Sequence, residues 1–276
     1  MSSPERGNTI LIEAALTAAL RTPGIKVYRE DFLRKELSKH FDQTIVEEAI
    51  NTNPARAGIN ITDLKRLANA CINYETNKVT IISTAAGVPG GAAMAVTAPL
   101  DIAQFFVHVL IILQKLTYLY GWQEIFDDKA DLYLNDETFN ELIIFIGVMV
   151  GVGMANKALL KIAGIFAIKT EKTLIKKALT KGTIYPIIKR ISKAIGVKMS
   201  KPILAKSVSK AIPVVGAVVS GGVTFVSYKP MAKRLQKYLE TLPMADVDFY
   251  KEQPDSLAVI EVDFSDIIDE DDLNDE

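Results

Sequence analysis

Asp101, Gln104, His108 and Lys115 are the residues of this chain whose types and spacing could support acid–base chemistry. They lie in VTIISTAAGVPGGAAMAVTAPLDIAQFFVHVLIILQKLTYLYGW, Val79 to Trp122, which is otherwise almost wholly apolar. An ionisable group in such surroundings must be paired, neutralised or functional. On a helix turning 100° per residue the four side chains share a sector about 60° wide. Thr97 falls on the same side, and Phe105, Phe106, Val109, Leu110 and Leu113 take the remaining circumference. Asp101 to Gln104 and Gln104 to His108 are spacings at which helical side chains interact. Asp101 and His108 stand about 10 Å apart along the axis, too far for a direct bond. In a reaction, His108 would exchange protons near neutral pH and Asp101 would orient it or hold a metal.

Three readings of this seam stay open: contacts that fix the register of neighbouring helices, a pocket for a ligand or lipid headgroup, and catalysis. No nucleophile is marked, since there is no GxSxG and no Cys–His motif, and GIFAIKT at Gly164 to Thr170 lacks the second glycine of a phosphate loop. GVPGG lacks the GxGxxG spacing and follows no strand. With His40, His108 and Cys71 the only histidines and cysteine, no zinc site is expected, and an oxygen-ligated magnesium or calcium site is left open. No metal and no cofactor is assigned. Cys71 has no partner for an internal disulfide, and MSSPERGNTI lacks the charged-then-apolar order of a secretory signal, so a reducing, intracellular setting is expected.

The elements that must position the seam read as helices throughout. Thr9 to Leu20 stops at Thr22, Pro23 and Gly24; Arg29 to His40 places Phe32, Leu33 and Leu37 on one face; Asp42 is placed to cap a helix through Ile50. Thr62 is the expected cap of a longer helix carrying Leu64, Leu67, Ala68, Cys71 and Ile72 to about Ser83. GVPGG then bends the chain into a helical hairpin over residues 62–120. Further apolar elements cover Leu142 to Ile168 and Ala211 to Tyr228, both glycine-rich; Gly147 and Gly151 have the spacing that lets helix backbones approach closely. Lys157 and Lys161 leave the first too short to span a bilayer, and Pro213, Gly216, Gly221 and Gly222 weaken the second. The expected fold is all-α: a multi-helix bundle with long, glycine-interrupted apolar hairpins and basic amphipathic helices.

A net charge of −1 hides strong segregation. Residues 156–210 hold 14 Lys or Arg against the single acid Glu171, and residues 245–276 hold 13 acids against Lys251 alone. The basic block contains two amphipathic stretches. In KTEKTLIKKALTK the charges are Lys172, Lys176, Lys177 and Lys181; in PIIKRISKAIGVK they are Lys189, Arg190 and Lys193, with Pro186 suited to a first helical turn. Such helices lie on anionic membrane surfaces or pack their apolar faces on a core. Nucleic acid is disfavoured as a partner, because between 157 and 210 only Phe166 and Tyr185 could stack on bases. The acidic end is either a solvated tail or an intramolecular cover for the basic face.

TAPLDIAQFFVHVLIILQKLTYLYGW, with GVPGG before it and IPVVGAVVSGGVTFVSY near the C-terminus, resembles the EcsC protein family over roughly residues 60–240. The matching signature residues are Pro99, Asp101, Gln114, Lys115, Tyr120 and Gly121, so the resemblance adds Gln114 to the candidate polar site. It implies a helical, prokaryotic protein, cytosolic or membrane-peripheral, and no particular reaction; the expected location is the bacterial cytoplasm, peripheral to the inner membrane. The expected organisation is a small helical unit at 1–58, an EcsC-like helical core at 59–240 and an acidic, disordered tail at 241–276. The expected role is a non-enzymatic regulator or effector of an envelope process that binds anionic lipid, with a protein partner as a further expectation. The alternative is a helical hydrolase or ligand-binding enzyme built around Asp101 and His108.

Overall fold

The computed structural model describes residues 14–86, 94–126, 136–168, 184–193 and 228–252, with the backbone alone at 80–86, 94–102, 136–137, 165–168 and 252. All regular structure among these residues is helical, and the architecture is an all-α multi-helix bundle. In chain order the helices are α1 (14–20), α2 (Arg29–Leu37), α3 (Gln43–Asn51), α4 (Ile61–Ala86), α5 (Met94–Leu119) and α6 (Asp136–Val150). Then follow α7 (Gly153–Ile168), α8 (184–193), α9 (228–239), a 3₁₀ turn at Pro243–Ala245 and α10 (Val247–Glu252). Among the described residues no helix is long and apolar enough to cross a membrane.

Local chemistry explains where these helices begin and end. α2 places Glu30 and Asp31 in its first turn and Arg34 and Lys35 in its last, as the helix dipole favours. Asp42 occupies the position before α3 but makes no side-chain capping bond. The cap of α4 is Asn60, not Thr62: Asn60 Oδ1 accepts from the Asp63 amide at 3.0 Å, and Asn60 Nδ2 donates to Asp63 Oδ2 at 2.9 Å. Asparagine two residues earlier does what the hydroxyl was expected to do. α5 and α6 both end on a left-handed glycine, Gly121 (φ 96°) and Gly151 (φ 89°). In each, the residue after the glycine donates back to a carbonyl in the last turn, Trp122 to Thr117 at 3.0 Å and Val152 to Gly147 at 2.8 Å. The apolar run 142–168 is thereby two helices that fold onto each other.

α4 packs along α5, and α6 packs along α7. The GVPGG link lies outside the described residues, as does all of the 211–228 run except Tyr228. Among the described glycines, Gly147 has the least room for a side chain. A Cβ there would stand 2.5 Å from Ala155 Cβ and 3.0 Å from Ile187 Cγ2, so α6, α7 and α8 meet at a bare backbone. The N-terminal helices share the same core, in which Leu33, Leu37 and Val46 cluster with Leu113, Leu116 and Tyr118.

A buried arginine fastens them there. Arg29 donates to the carbonyls of Trp122 (2.9 Å), Ile50 (2.7 Å), Ala49 (3.2 Å) and Thr52 (3.1 Å), so one guanidinium closes the end of α3 and the turn after α5. Burial lowers its pKa, against the pull of Tyr118 and Glu124, but arginine starts high enough to stay charged.

Residues 241–252, expected to belong to a disordered tail, lie on the bundle. Leu242, Met244 and Ala245 are buried, and Tyr250 accepts a 2.7 Å hydrogen bond from Asn53 Nδ2. Apolar side chains draw residues 241–252 onto the bundle despite their acidic neighbours; residues 253–276 lie outside the described part.

Gly147→Ala should destabilise the fold by about 1–3 kcal/mol in urea unfolding, although alanine is the better helix former. Adding Ala155→Gly should restore much of the loss. A neutral or stabilising Gly147→Ala would show that the three helices do not meet there.

Candidate functional site

The seam of α5 is answered by a residue the sequence reading passed over. Glu75 lies on the core stripe of α4 with Ala68, Ile72 and Val79, and its side chain is 1% exposed. Lys115 Nζ reaches Glu75 Oε1 at 2.5 Å while resting near the faces of Phe32 (5.8 Å) and Tyr74 (6.0 Å). The period 68, 72, 75, 79 was available as a signal, because the apolar stripe already traced through Ile72 continues onto the carboxylate. The ion pair is lopsided: the ammonium reaches partial solvent and the carboxylate does not.

His108, 8% exposed, lies in the same polar line. Its backbone carbonyl accepts from the buried Tyr228 hydroxyl at 3.3 Å, which ties α9 to the site. Burial holds the imidazole below its ordinary value; Lys78 pushes the same way and Glu75 opposes. The ring is therefore neutral at pH 7. Its Nδ1 and Glu75 Oε2 are buried without a hydrogen-bond partner among the described residues. Burial also raises the Tyr228 phenol well above its usual value, reinforced by Glu75 and Cys71. The Cys71 thiol is pushed up to about 12, mainly by burial, so it is a poor nucleophile.

This arrangement can hold a neutral imidazole and a carboxylate beside a compensating ammonium. Among the described residues no group of three or more His, Cys, Asp and Glu side chains converges to hold a metal. Gln104 is exposed, at the outer end of the seam, and does not join the buried part. Pro99 and Asp101 lie on the backbone of α5, and their side chains are outside the described part. Gln114 is elsewhere. It accepts from the Val27 amide at 2.9 Å and donates to the carbonyls of Ile25 (2.8 Å) and Leu110 (3.0 Å), clamping the chain before α2 onto α5. Its place is structural, on the side of the helix away from the seam. Tyr120 is buried with its hydroxyl 3.1 Å from Glu240, and Gly121 forms the turn already described.

The basic candidates divide. Lys172, Lys176 and Lys177 lie outside the described residues. Lys189 is half-buried on α8, and Arg190 and Lys193 are exposed. The apolar face of this helix is not available for a bilayer, because Ile184, Ile187, Ile188 and Ile191 are buried in the bundle. Tyr185, 50% exposed, stays outside. On α7, Lys157 is exposed beside Leu160, which is also 50% exposed. On α9, Arg234 and Lys237 are exposed, and Arg234 donates to the Met149 carbonyl at 2.5 Å. Comparison with protein-family models, with curated proteins and with solved structures finds no match to this chain.

Two outcomes test the buried group. Lys115→Met should cost about 3–5 kcal/mol, because it strands a buried carboxylate, and Glu75→Gln should cost less, because the ammonium left behind can turn to water; equilibrium unfolding of both variants checks the order. For His108, the folded state resists the proton that the unfolded chain accepts near pH 6.5. The stability contributed by the neutral ring is thus complete above that pH and falls as pH drops through it toward the lower folded-state value. His108→Gln should flatten this part of the stability–pH curve.

Proposed function

We propose that the protein is a non-enzymatic regulator or effector of a bacterial envelope process that associates peripherally with anionic membrane, through the basic stretch between residues 156 and 210. The observation that carries this reading is the division of α8, whose isoleucines are buried while Arg190, Lys193 and Tyr185 face solvent. Lys157 and Leu160 of α7 are exposed as well, so the described helices of this stretch carry cations and half-exposed apolar side chains on their solvent sides. A lysine or arginine near an anionic surface contributes about 1 kcal/mol, so several acting together suffice for reversible attachment. Tyrosine is suited to the headgroup layer. In this mechanism α8 lies against the lipid as part of a folded body, and its apolar face need not leave the core. The resemblance to the EcsC family agrees with a membrane-peripheral helical protein.

A second reading, a ligand-binding or hydrolytic enzyme around Asp101 and His108, is favoured by one observation: the buried His108 Nδ1 and Glu75 Oε2 that lack hydrogen-bond partners among the described residues. Against it, the thiol and phenol beside them are held in their protonated, weakly nucleophilic forms.

Flotation of the full-length protein with phosphatidylglycerol-containing vesicles, across salt concentrations, separates the readings. Peripheral attachment requires binding that weakens with salt and falls at least about tenfold in Lys189→Glu/Arg190→Glu/Lys193→Glu. Salt-resistant retention would mean insertion instead. Absence of binding at low salt would reject the membrane reading.

A further inference from the structure

Glu75 and His108 enter the α4–α5 interface from different helices, 1% and 8% exposed, and each keeps one polar atom there that nothing satisfies. Lys115 takes Glu75 Oε1 and leaves Oε2; His108 Nδ1 is likewise buried, and among the described residues neither atom has a hydrogen-bond partner. Two such atoms in one interface are costly unless a donor reaches them. His108 and Lys115 stand seven residues apart on one side of α5, about 10 Å along its axis. Helical side chains lean toward the N-terminus of their helix, so Lys115 extends toward His108 and holds the carboxylate on that side. Oε2 and Nδ1 make no bond to each other, yet Glu75 is near enough to act on the imidazole through its charge. Tyr228, wholly buried, closes the same place from α9: its hydroxyl donates to the His108 carbonyl at 3.3 Å, and the phenol also feels Glu75. Ile72 and Val79, one turn to either side of Glu75, and Ile112, one turn beyond His108, are buried.

The chemistry of the place limits what can fill it. The carboxylate is balanced by Lys115, the ring is neutral and the phenol holds its proton, so a charged guest would be buried without a counter-charge. An ionised carboxylate only accepts, so the guest must donate to Oε2. A neutral imidazole nitrogen donates or accepts according to its tautomer, so the second contact has either sense. A hydroxyl meets all three conditions. We propose that a neutral O–H group is bound between Glu75 and His108, donating to Oε2 and hydrogen-bonded to Nδ1. Two sources supply that chemistry: a water molecule, or the hydroxyl of an uncharged alcohol, whose carbon chain suits the aliphatic neighbours. They differ in one respect. An alcohol has a single O–H, which the carboxylate takes, so Nδ1 must carry the proton; water can donate to both atoms. The site deepens the ligand-binding reading above and rests on it, with Glu75 rather than Asp101 as the acid.

Nitrogen NMR of the histidine-labelled full chain near neutral pH tests this, because the sequence has two histidines and the exposed His40 serves as reference. His108 should show one fixed tautomer with its Nδ1 signal displaced by a hydrogen bond. Glu75→Gln and Glu75→Leu remove the same charge, but only glutamine keeps an acceptor. The fixed tautomer and the displaced signal should survive in Glu75→Gln and be lost in Glu75→Leu. An Nδ1 free of hydrogen bonds in the unsubstituted protein, or equal behaviour of the two variants, overturns the proposal; the unsubstituted spectrum decides even if Glu75→Leu does not fold. The source follows from two further readings. A nuclear Overhauser contact between water and the His108 ring that 1-octanol does not disturb means water, and a saturable shift of Nδ1 on titration with 1-octanol means an alcohol. If neither is seen, no hydroxyl is at the site and the proposal is overturned as well. Asp101→Asn separates the two claims: His108 signals that it leaves unchanged fail the reading centred on Asp101 and let this site stand.

Discussion

The Arg29 guanidinium is the contact on which the arrangement of the bundle most depends. Four carbonyls from two separate turns converge on it, and none of them has a helical partner available at that point. The apolar faces of α2 and α3 could slide over α5 in several registers, since hydrophobic contact is non-directional. A planar donor fork surrounded by fixed acceptors allows one. Once α2 is held there, Gln114 can close on Ile25 and Val27, and Phe32 can stand against Tyr118. The directional bonds thus select a single packing from the many that burial alone would permit.

The same division between apolar burial and directional polarity organises the α4–α5 interface. Glu75, Lys115 and His108 lie within an otherwise largely apolar contact, and two of their polar atoms are left without hydrogen bonds among the described residues. Such a group does little for stability compared with leucines of the same size, yet it penalises any slip of α4 along α5, since a shift of one turn would leave the carboxylate alone. Register control and a ligand role are compatible: both require the polar atoms to stay where they are.

Much of the fold was legible because it is written in period and punctuation. Phe32, Leu33 and Leu37 point inward as their spacing requires, whereas Gly151, read with Gly147 as a close-approach spacing, ends α6 as a left-handed residue. The candidate site was legible by halves. His108 and Lys115 were found from one helix, but Glu75 belongs to another, and an acid in a helix reads as surface until its partner is known. Arg29 was missed for the same reason, its acceptors lying some twenty and ninety residues away. Gln114 was grouped with the seam through resemblance, whereas its partners are carbonyl and amide groups distant in sequence. The isoleucines of α8 illustrate a deeper ambiguity: an apolar stripe records that a face avoids water, and a protein core satisfies it as well as a bilayer does.

Trp122 is the chain's single tryptophan, fully buried, with its ring edge-on to Phe145 at 5.0 Å and its own carbonyl held by Arg29. The indole therefore sits at the joint between the N-terminal helices, the end of α5 and α6. Its fluorescence is a built-in gauge of that joint: blue-shifted while the clamp is closed, and moving to the red as soon as water enters. Binding events confined to the outer faces of α7 and α8 leave the emission unchanged, whereas any event that pries the bundle apart announces itself through one residue.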